Sequence, residues 1–159
     1  MLNLLFICVK ISYMKNTLKK KEKVSFLRNK CIVIGAGRLG AWIAISLQNE
    51  GRNVTVLDKD TESLAKLEDF QGFTSIGDAT DLSFLESNDI DKADMVIITT
   101  EDDKTNLFLA DVCLQIYDVP KIFVRLNDSN KMKLLEETRI KPICPFLLSV
   151  EKFYSMYNG

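Results

Sequence analysis

The chain has 159 residues, 47% hydrophobic and 27% charged, which suits one domain with a single core. Its formal net charge of −1 makes no case for nucleic acid, and the absence of histidine removes the commonest general acid–base residue and metal ligand. Four scattered cysteines, Cys8, Cys31, Cys113 and Cys144, form neither a C-x-x-C pair nor a disulfide framework, so a reducing cytosol is the expected home.

Charge is unevenly placed. Residues 1–30 hold eight Lys/Arg against one acid, Glu22, while the remainder holds 13 basic and 21 acidic residues. A basic and flexible extension over residues 1–29 is expected to precede an acidic folded domain over residues 30–159. The opening apolar run, Met1–Val9, is about half the length of a membrane span and has no charged n-region, so no signal peptide is expected. Met14, followed by a lysine-rich stretch, offers an alternative start.

From Lys30 onward, short β-branched runs alternate with amphipathic stretches. The runs Cys31–Ile34, Val54–Leu57, Phe73–Ile76, Met95–Ile98 and Ile122–Val124 are mostly apolar, as parallel strands covered on both faces must be. Ala41–Glu50 is a helix ending at Gly51, a natural residue just past a C-cap. Thr61 and Asp81 are expected N-caps of the next two helices. Asn106–Tyr117 and Asp128–Thr138 are expected helices after the fourth and fifth strands. Pro142 and Pro145 bracket Ile143-Cys144, an expected sixth edge strand, before a last helix over Leu147–Tyr157. Cys31 and Cys113 sit among apolar neighbours and are expected in the core. The alternation argues for an α/β class: a Rossmann-like, doubly wound, parallel six-stranded sheet with helices on both faces.

Gly35-Ala36-Gly37-Arg38-Leu39-Gly40 is G-x-G-x-x-G in the context that gives it meaning, directly after a strand and at the opening of a helix. Gly35 permits the tight turn, Gly37 lets phosphates approach the backbone, and Gly40 lets helix and strand pack closely. The helix N-terminus offers free N–H groups and partial positive charge. Asp58 ends the second strand, where a carboxylate accepts from both ribose hydroxyls and disfavours a 2′-phosphate; Lys59 beside it is counted with the site. Arg38 either reaches a terminal phosphate, caps a carbonyl, or meets an acid across an interface.

Further candidates lie at the other strand ends. After the third strand, Gly77, Asp78 and Ala79 belong to Gly77-Asp78-Ala79-Thr80, where Asp78 either accepts from an adenine amino group or caps the next helix. Thr99 and Thr100 follow the fourth strand, at the switch point of such a sheet, and are candidate contacts to ribose or phosphate. Glu101-Asp102-Asp103 reads as the cap of the next helix, with metal binding through a nucleotide as the alternative. Arg125, charged in an otherwise apolar run, faces either the ligand phosphates or a buried acid.

These motifs, in this order, resemble the Trk/Ktr regulatory subunits of bacterial potassium transporters, in their KTN or RCK N-terminal domains. The elements that carry the resemblance are the glycine loop, Asp58, Gly77-Asp78-Ala79-Thr80, the Ala93–Ile98 strand with its Thr- and Asp-rich loop, and Val124-Arg125. It covers roughly Lys30 to Tyr157. The resemblance implies a cytoplasmic regulatory subunit, not an enzyme, docked on a membrane potassium-translocating subunit and gated by NAD(H) or by ATP/ADP. It also implies a homodimer or larger ring, in which the last helix packs on a neighbour through Phe146, Leu147, Leu148, Val150, Phe153, Tyr154 and Tyr157. Many members carry a further C-terminal RCK domain, of which these 159 residues hold no counterpart. The alternative reading is a nicotinamide-dependent oxidoreductase, against which stand the missing histidine and the absence of an expected helical Tyr-x-x-x-Lys pair.

Overall fold

A computed structural model describes residues 29–159. The expectations for the basic extension and for the start at Met14 lie outside these residues. Six strands form one parallel sheet in the order β3-β2-β1-β4-β5-β6. They are β1 (Lys30–Ile34), β2 (Asn53–Asp58), β3 (Phe73–Ile76), β4 (Met95–Ile98), β5 (Lys121–Arg125) and β6 (Ile140–Ile143). The helices are α1 (Arg38–Asn49), α2 (Thr61–Ala65), α3 (Leu82–Ser87), α4 (Asp103–Gln115) and α5 (Pro145–Tyr157), with 3-10 turns at Ile90–Lys92 and Ser129–Leu135.

The period of two along the central strands sorts their side chains onto two buried faces. Cys31, Val33, Val54, Val56, Met95 and Ile97 share one face with Ala44 of α1, and Ile43 and Leu47 pack against them. Ile32, Ile34, Leu57, Val96, Ile98, Ile122 and Val124 face the other way, onto Leu85 of α3 and Leu109, Ala110 and Cys113 of α4. Burial on both faces explains why these strands read as continuous apolar runs. Cys31 and Cys113 are core residues, and burial pushes the Cys113 thiol up to about 12.

The five strands β1 to β5 all fall where the apolar runs place them, within a residue. Helix boundaries move, because side-chain caps decide them. Asp60, not Thr61, caps α2, accepting from the N–H groups of Glu62 and Ser63. Asp81 caps α3 through Ser83 N, as expected. Asp102 accepts from Thr105 N and so opens α4 three residues before Asn106. The expected helix over Asp128–Thr138 is instead a 3-10 segment, Ser129–Leu135. Asp128 caps it, and Lys131 N and Thr138 N reach carbonyls three residues back, those of Asp128 and Leu135. The sixth strand lies earlier than expected and contains Pro142, tolerated because β6 is an edge. Cys144 then caps α5, which starts at Pro145.

Gly35 and Gly40 form the closest approach in the sheet–helix packing. A Cβ on Gly40 would lie 1.9 Å from the Gly35 carbonyl oxygen and 2.5 Å from Thr99 Oγ1. The obstacle is backbone and cannot rotate away. Gly40→Ala is therefore expected to destabilise the domain by at least about 3 kcal/mol, read as a lower midpoint in urea unfolding.

Candidate functional site

The glycine loop is built from glycines used in three different ways. Gly35 has φ +102°, and a Cβ there would meet Thr100 N and the Thr99 carbonyl carbon at 2.9 Å, so turn and packing both demand glycine. Gly40 is demanded by helix packing alone. Gly37 has an ordinary φ of −62°, is exposed, and a Cβ there would meet nothing within 4 Å. Neither backbone strain nor an internal neighbour explains the glycine at 37.

Gly37 is also the N-cap of α1 and supplies no side-chain bond to the helix, unlike the aspartates that cap α2, α3 and α4. The first intrahelical bond is Ala41 N to Gly37 O, which leaves the Arg38, Leu39 and Gly40 N–H groups without intrahelical acceptors. These donors and the partial positive charge of the helix end make a candidate anion cradle. Arg38, exposed on the first turn, forms no hydrogen bond or ion pair among the described residues, so its guanidinium is available to the cradle.

Asp58 stands beside this cradle at the end of β2. Its Oδ2 accepts from Ala36 N at 2.5 Å and its Oδ1 from Asp60 N at 2.9 Å. The carboxylate thus holds the glycine loop against β2, and each oxygen retains a further lone pair for a hydroxyl donor. Lys59 is exposed beside it. Asp78 accepts from the N–H and hydroxyl of Thr80, and those bonds hold its carboxyl below the usual range. Gly77 lies against the Phe84 ring, at 2.4 Å from a notional Cβ, while Ala79 is buried in the core. Gly77 therefore answers to packing.

The two threonines after β4 face inward. Thr99 is buried, and its hydroxyl is within reach of the Ile34 and Gly35 carbonyls at 3.2 and 3.0 Å, clamping β4 to the loop. Thr100 Oγ1 donates to Asn106 Oδ1 at 2.5 Å. Asn106, wholly buried, returns its amide hydrogens to the Thr100 and Arg125 carbonyls, each at 3.0 Å. Arg125 donates to Asn127 Oδ1 at 2.9 Å, while its Nε is shielded from solvent with no acceptor among the described residues. Among the described residues Arg125 forms no ion pair with an acid.

Sequence reasoning missed Asp103 and Asn106. Asp103 was grouped with the helix cap, yet it is buried, accepts from Asn127 N and Asp128 N, and pairs with Lys131 Nζ at 2.9 Å. Asn106 was read only as a helix start. The signal available was spacing: Asp103 and Asn106 are three apart on α4 and face the strand ends together. A cleft of about 550 Å³ lies between the loops after β4 and β5, bordered by Asp102, Asn127, Lys131 and Phe146. The expected lack of a helical Tyr-x-x-x-Lys pair needs one refinement. Tyr117 and Lys121 have that spacing, but Tyr117 follows α4 and Lys121 opens β5.

The strand order, the glycine loop at the switch point and the carboxylate at the end of β2 define a Rossmann-type domain. Its sequence matches the family described as TrkA-N domain over residues 31–144, and the chain belongs to that family. Among curated proteins it is 31% identical over 99 residues to a Trk system potassium uptake protein TrkA from Mycobacterium tuberculosis, a match covering 62% of this chain and 45% of that protein. The chain spans about half the length of the curated relatives it matches. Among solved structures it resembles the NAD(P)-binding domain of an exopolyphosphatase-related protein from Archaeoglobus fulgidus, with 29% identity and a TM-score of 0.69. That alignment covers 80% of this chain and 96% of the other. GsuK bound to ADP is similar with 26% identity and a TM-score of 0.63, over 72% of this chain and 30% of that one. No helix among the described residues is long and apolar enough to cross a membrane.

Burial raises the Asp103 carboxyl, but the Asn127 and Asp128 N–H groups and the Lys131 ammonium outweigh it and leave it below the usual range. Its contribution to stability is complete above the unfolded carboxylate value, about 3.9, and is lost as pH falls through the lower folded value. Asp103→Asn is expected to lower stability at pH 7 by about 2 kcal/mol. It is also expected to flatten the loss of stability below about pH 4, as measured by urea unfolding across a pH series.

Proposed function

We propose that this chain is the nucleotide-binding regulatory domain of a membrane potassium-transport system, with NAD(H) or ATP/ADP as ligand. The observation that carries this reading is Gly37, where the fold has no need of glycine but a phosphate against the α1 N–H groups does. Gly35, Ala36, Leu39 and Gly40 shape the cradle, Arg38 supplies charge to a phosphate, and the open lone pairs of Asp58 take the ribose hydroxyls. Lys59, Gly77, Asp78 and Ala79 form the adenine side of the cleft. Membership of the TrkA-N family, TrkA relatives, and a similar structure bound to ADP all support a regulatory role.

The domain acts by population shift rather than by turnover. Bound nucleotide favours one arrangement of neighbouring protomers, and that arrangement biases a membrane subunit at its cytoplasmic face. The surface of α5 supports self-association: none of its residues is buried, and Phe146, Leu148, Phe153, Tyr154, Met156 and Tyr157 are exposed. Phe153 stacks on Tyr157 at 6.0 Å and meets Tyr154 edge-on at 5.3 Å, a ready-made aromatic surface for a second copy.

Two experiments test the reading. Calorimetric titration with NAD⁺, NADH, ATP and ADP is expected to show binding without turnover, and Gly37→Val is expected to weaken it at least tenfold. The valine costs the fold only about 1 kcal/mol, the scale of an N-cap change; unchanged affinity in a folded variant would remove the cradle assignment. The pair Phe153→Glu and Tyr157→Glu is expected to convert a dimer or ring to monomer by light scattering, with the circular dichroism of the folded domain retained.

A further inference from the structure

The amino-terminal extension has no part in the nucleotide reading, and its composition combines two features. Met1–Val9 is apolar apart from Asn3, carries no charged side chain and is too short to span a membrane. Lys10, Lys15, Lys19, Lys20, Lys21 and Lys23 follow it, with Glu22 the one acid among them. An apolar segment that enters the headgroup region, joined to a cluster of lysines, is the pair of signals that holds a protein on an anionic lipid surface. Either signal alone gives only marginal binding.

The fold shows where this extension leaves the domain. Asn29 is held at the amino end of the sheet: its carbonyl accepts from Asn53 N at 3.1 Å, its side chain donates to Gly51 O at 3.2 Å, and its Oδ1 accepts from Arg52 at 3.2 Å. The strands are all parallel, so this end lies opposite the glycine loop. The two ends differ in charge. At the amino end, ion pairs hold opposite charges together: Lys30 with Asp89 at 3.2 Å, Arg52 with Asp94 at 3.5 Å, and Arg139 with Asp118. At the carboxyl end, the loops after β2, β3, β4 and β5 present the exposed acids Asp60, Asp78, Asp81, Glu101, Asp102 and Asp128, with Lys59 their one basic residue. An anionic surface repels the carboxyl end and accepts the amino end, where the extension attaches.

We infer that residues 1–23 bind an anionic lipid surface directly. Met1–Val9 enters the headgroup region, the lysines from Lys10 to Lys23 meet the negative headgroups, and the domain stands with the amino ends of its strands toward the bilayer. The glycine loop then faces away from the lipid and stays accessible to a ligand from water. This contact needs neither a nucleotide nor a membrane protein, so it goes beyond the regulatory reading and stands or falls apart from it.

The test is co-sedimentation of the full chain with vesicles of phosphatidylcholine alone and of equal parts phosphatidylcholine and phosphatidylserine. The anionic vesicles are expected to bind at least about tenfold more tightly, and high salt to remove the difference. The triple variant Lys19→Glu, Lys20→Glu, Lys21→Glu is expected to weaken binding to them by at least about tenfold, since each lysine near the surface contributes about fivefold. The pair Phe6→Asp and Ile7→Asp is expected to weaken it by a similar factor through the apolar segment. Both sets lie outside residues 29–159, so the circular dichroism of the domain is expected to be unchanged. Orientation is read from fluorescence with bromine-labelled acyl chains. The single tryptophan, Trp42, is exposed on α1 and is expected to escape quenching, whereas Phe6→Trp in a Trp42→Phe background is expected to be quenched. Equal binding to both kinds of vesicle, binding to neither, unchanged binding in either set of variants, or quenching of Trp42 would overturn the inference. Binding to polyglutamate through the same lysines, with vesicles ignored, would assign the extension to an acidic protein instead and overturn it too.

Discussion

The crossing of α1 over the end of β1 sets the terms for the rest of the domain. With no Cβ on Gly40, the helix comes close enough for its first turn to lie against the Gly35 carbonyl, and Thr99 reaches across from β4 to the same point. Three chain segments thereby meet at one spot at the top of the sheet. Asp58 adds a fourth by accepting from Ala36 N, so the glycine loop is held from both neighbouring strands. The free N–H groups of α1 are thus presented in a fixed position, which is what an anion cradle requires, since donors that must be ordered on binding cost affinity.

Beyond that crossing, polar side chains do the joining. Asn106 and Asp103 lie on the first turn of α4 and tie the ends of β4 and β5 together through carbonyls and N–H groups of the intervening loops. Each is buried, and each has its hydrogen-bonding capacity largely met, so the cost of burying them is offset locally. Arg125 Nε is the exception in this network. The last helix differs again, being bound to no core and apolar over much of its surface. It contributes to the fold only by following β6, and its surface suits another protein chain better than water.

The apolar runs and the glycine spacing made the sheet and the glycine loop legible in the sequence. Strands buried on both faces must be apolar throughout, and a helix that crosses a strand closely must carry glycine there, so both constraints are written in local sequence. Helix starts were legible only in kind: Asp60 competes with Thr61, and Asp102 with Asn106, as caps, and the winner depends on how each loop is tethered. The sixth strand was misplaced because Pro142 reads as a breaker, whereas an edge strand accepts a residue without an N–H.

The sequence by itself determined the parallel α/β architecture, the order of its elements and the Gly35–Gly40 loop with Asp58 at the next strand end. These follow from local periodicity and fixed spacing. Only the tertiary structure decided that Thr99 and Thr100 turn inward, that Asp103 and Asn106 brace the switch point, and that Gly37 alone of the loop glycines answers to no internal neighbour. It also decided that Arg125 retains a shielded donor. Each of these depends on what residues distant in the chain place beside the side chain, and no local pattern records that.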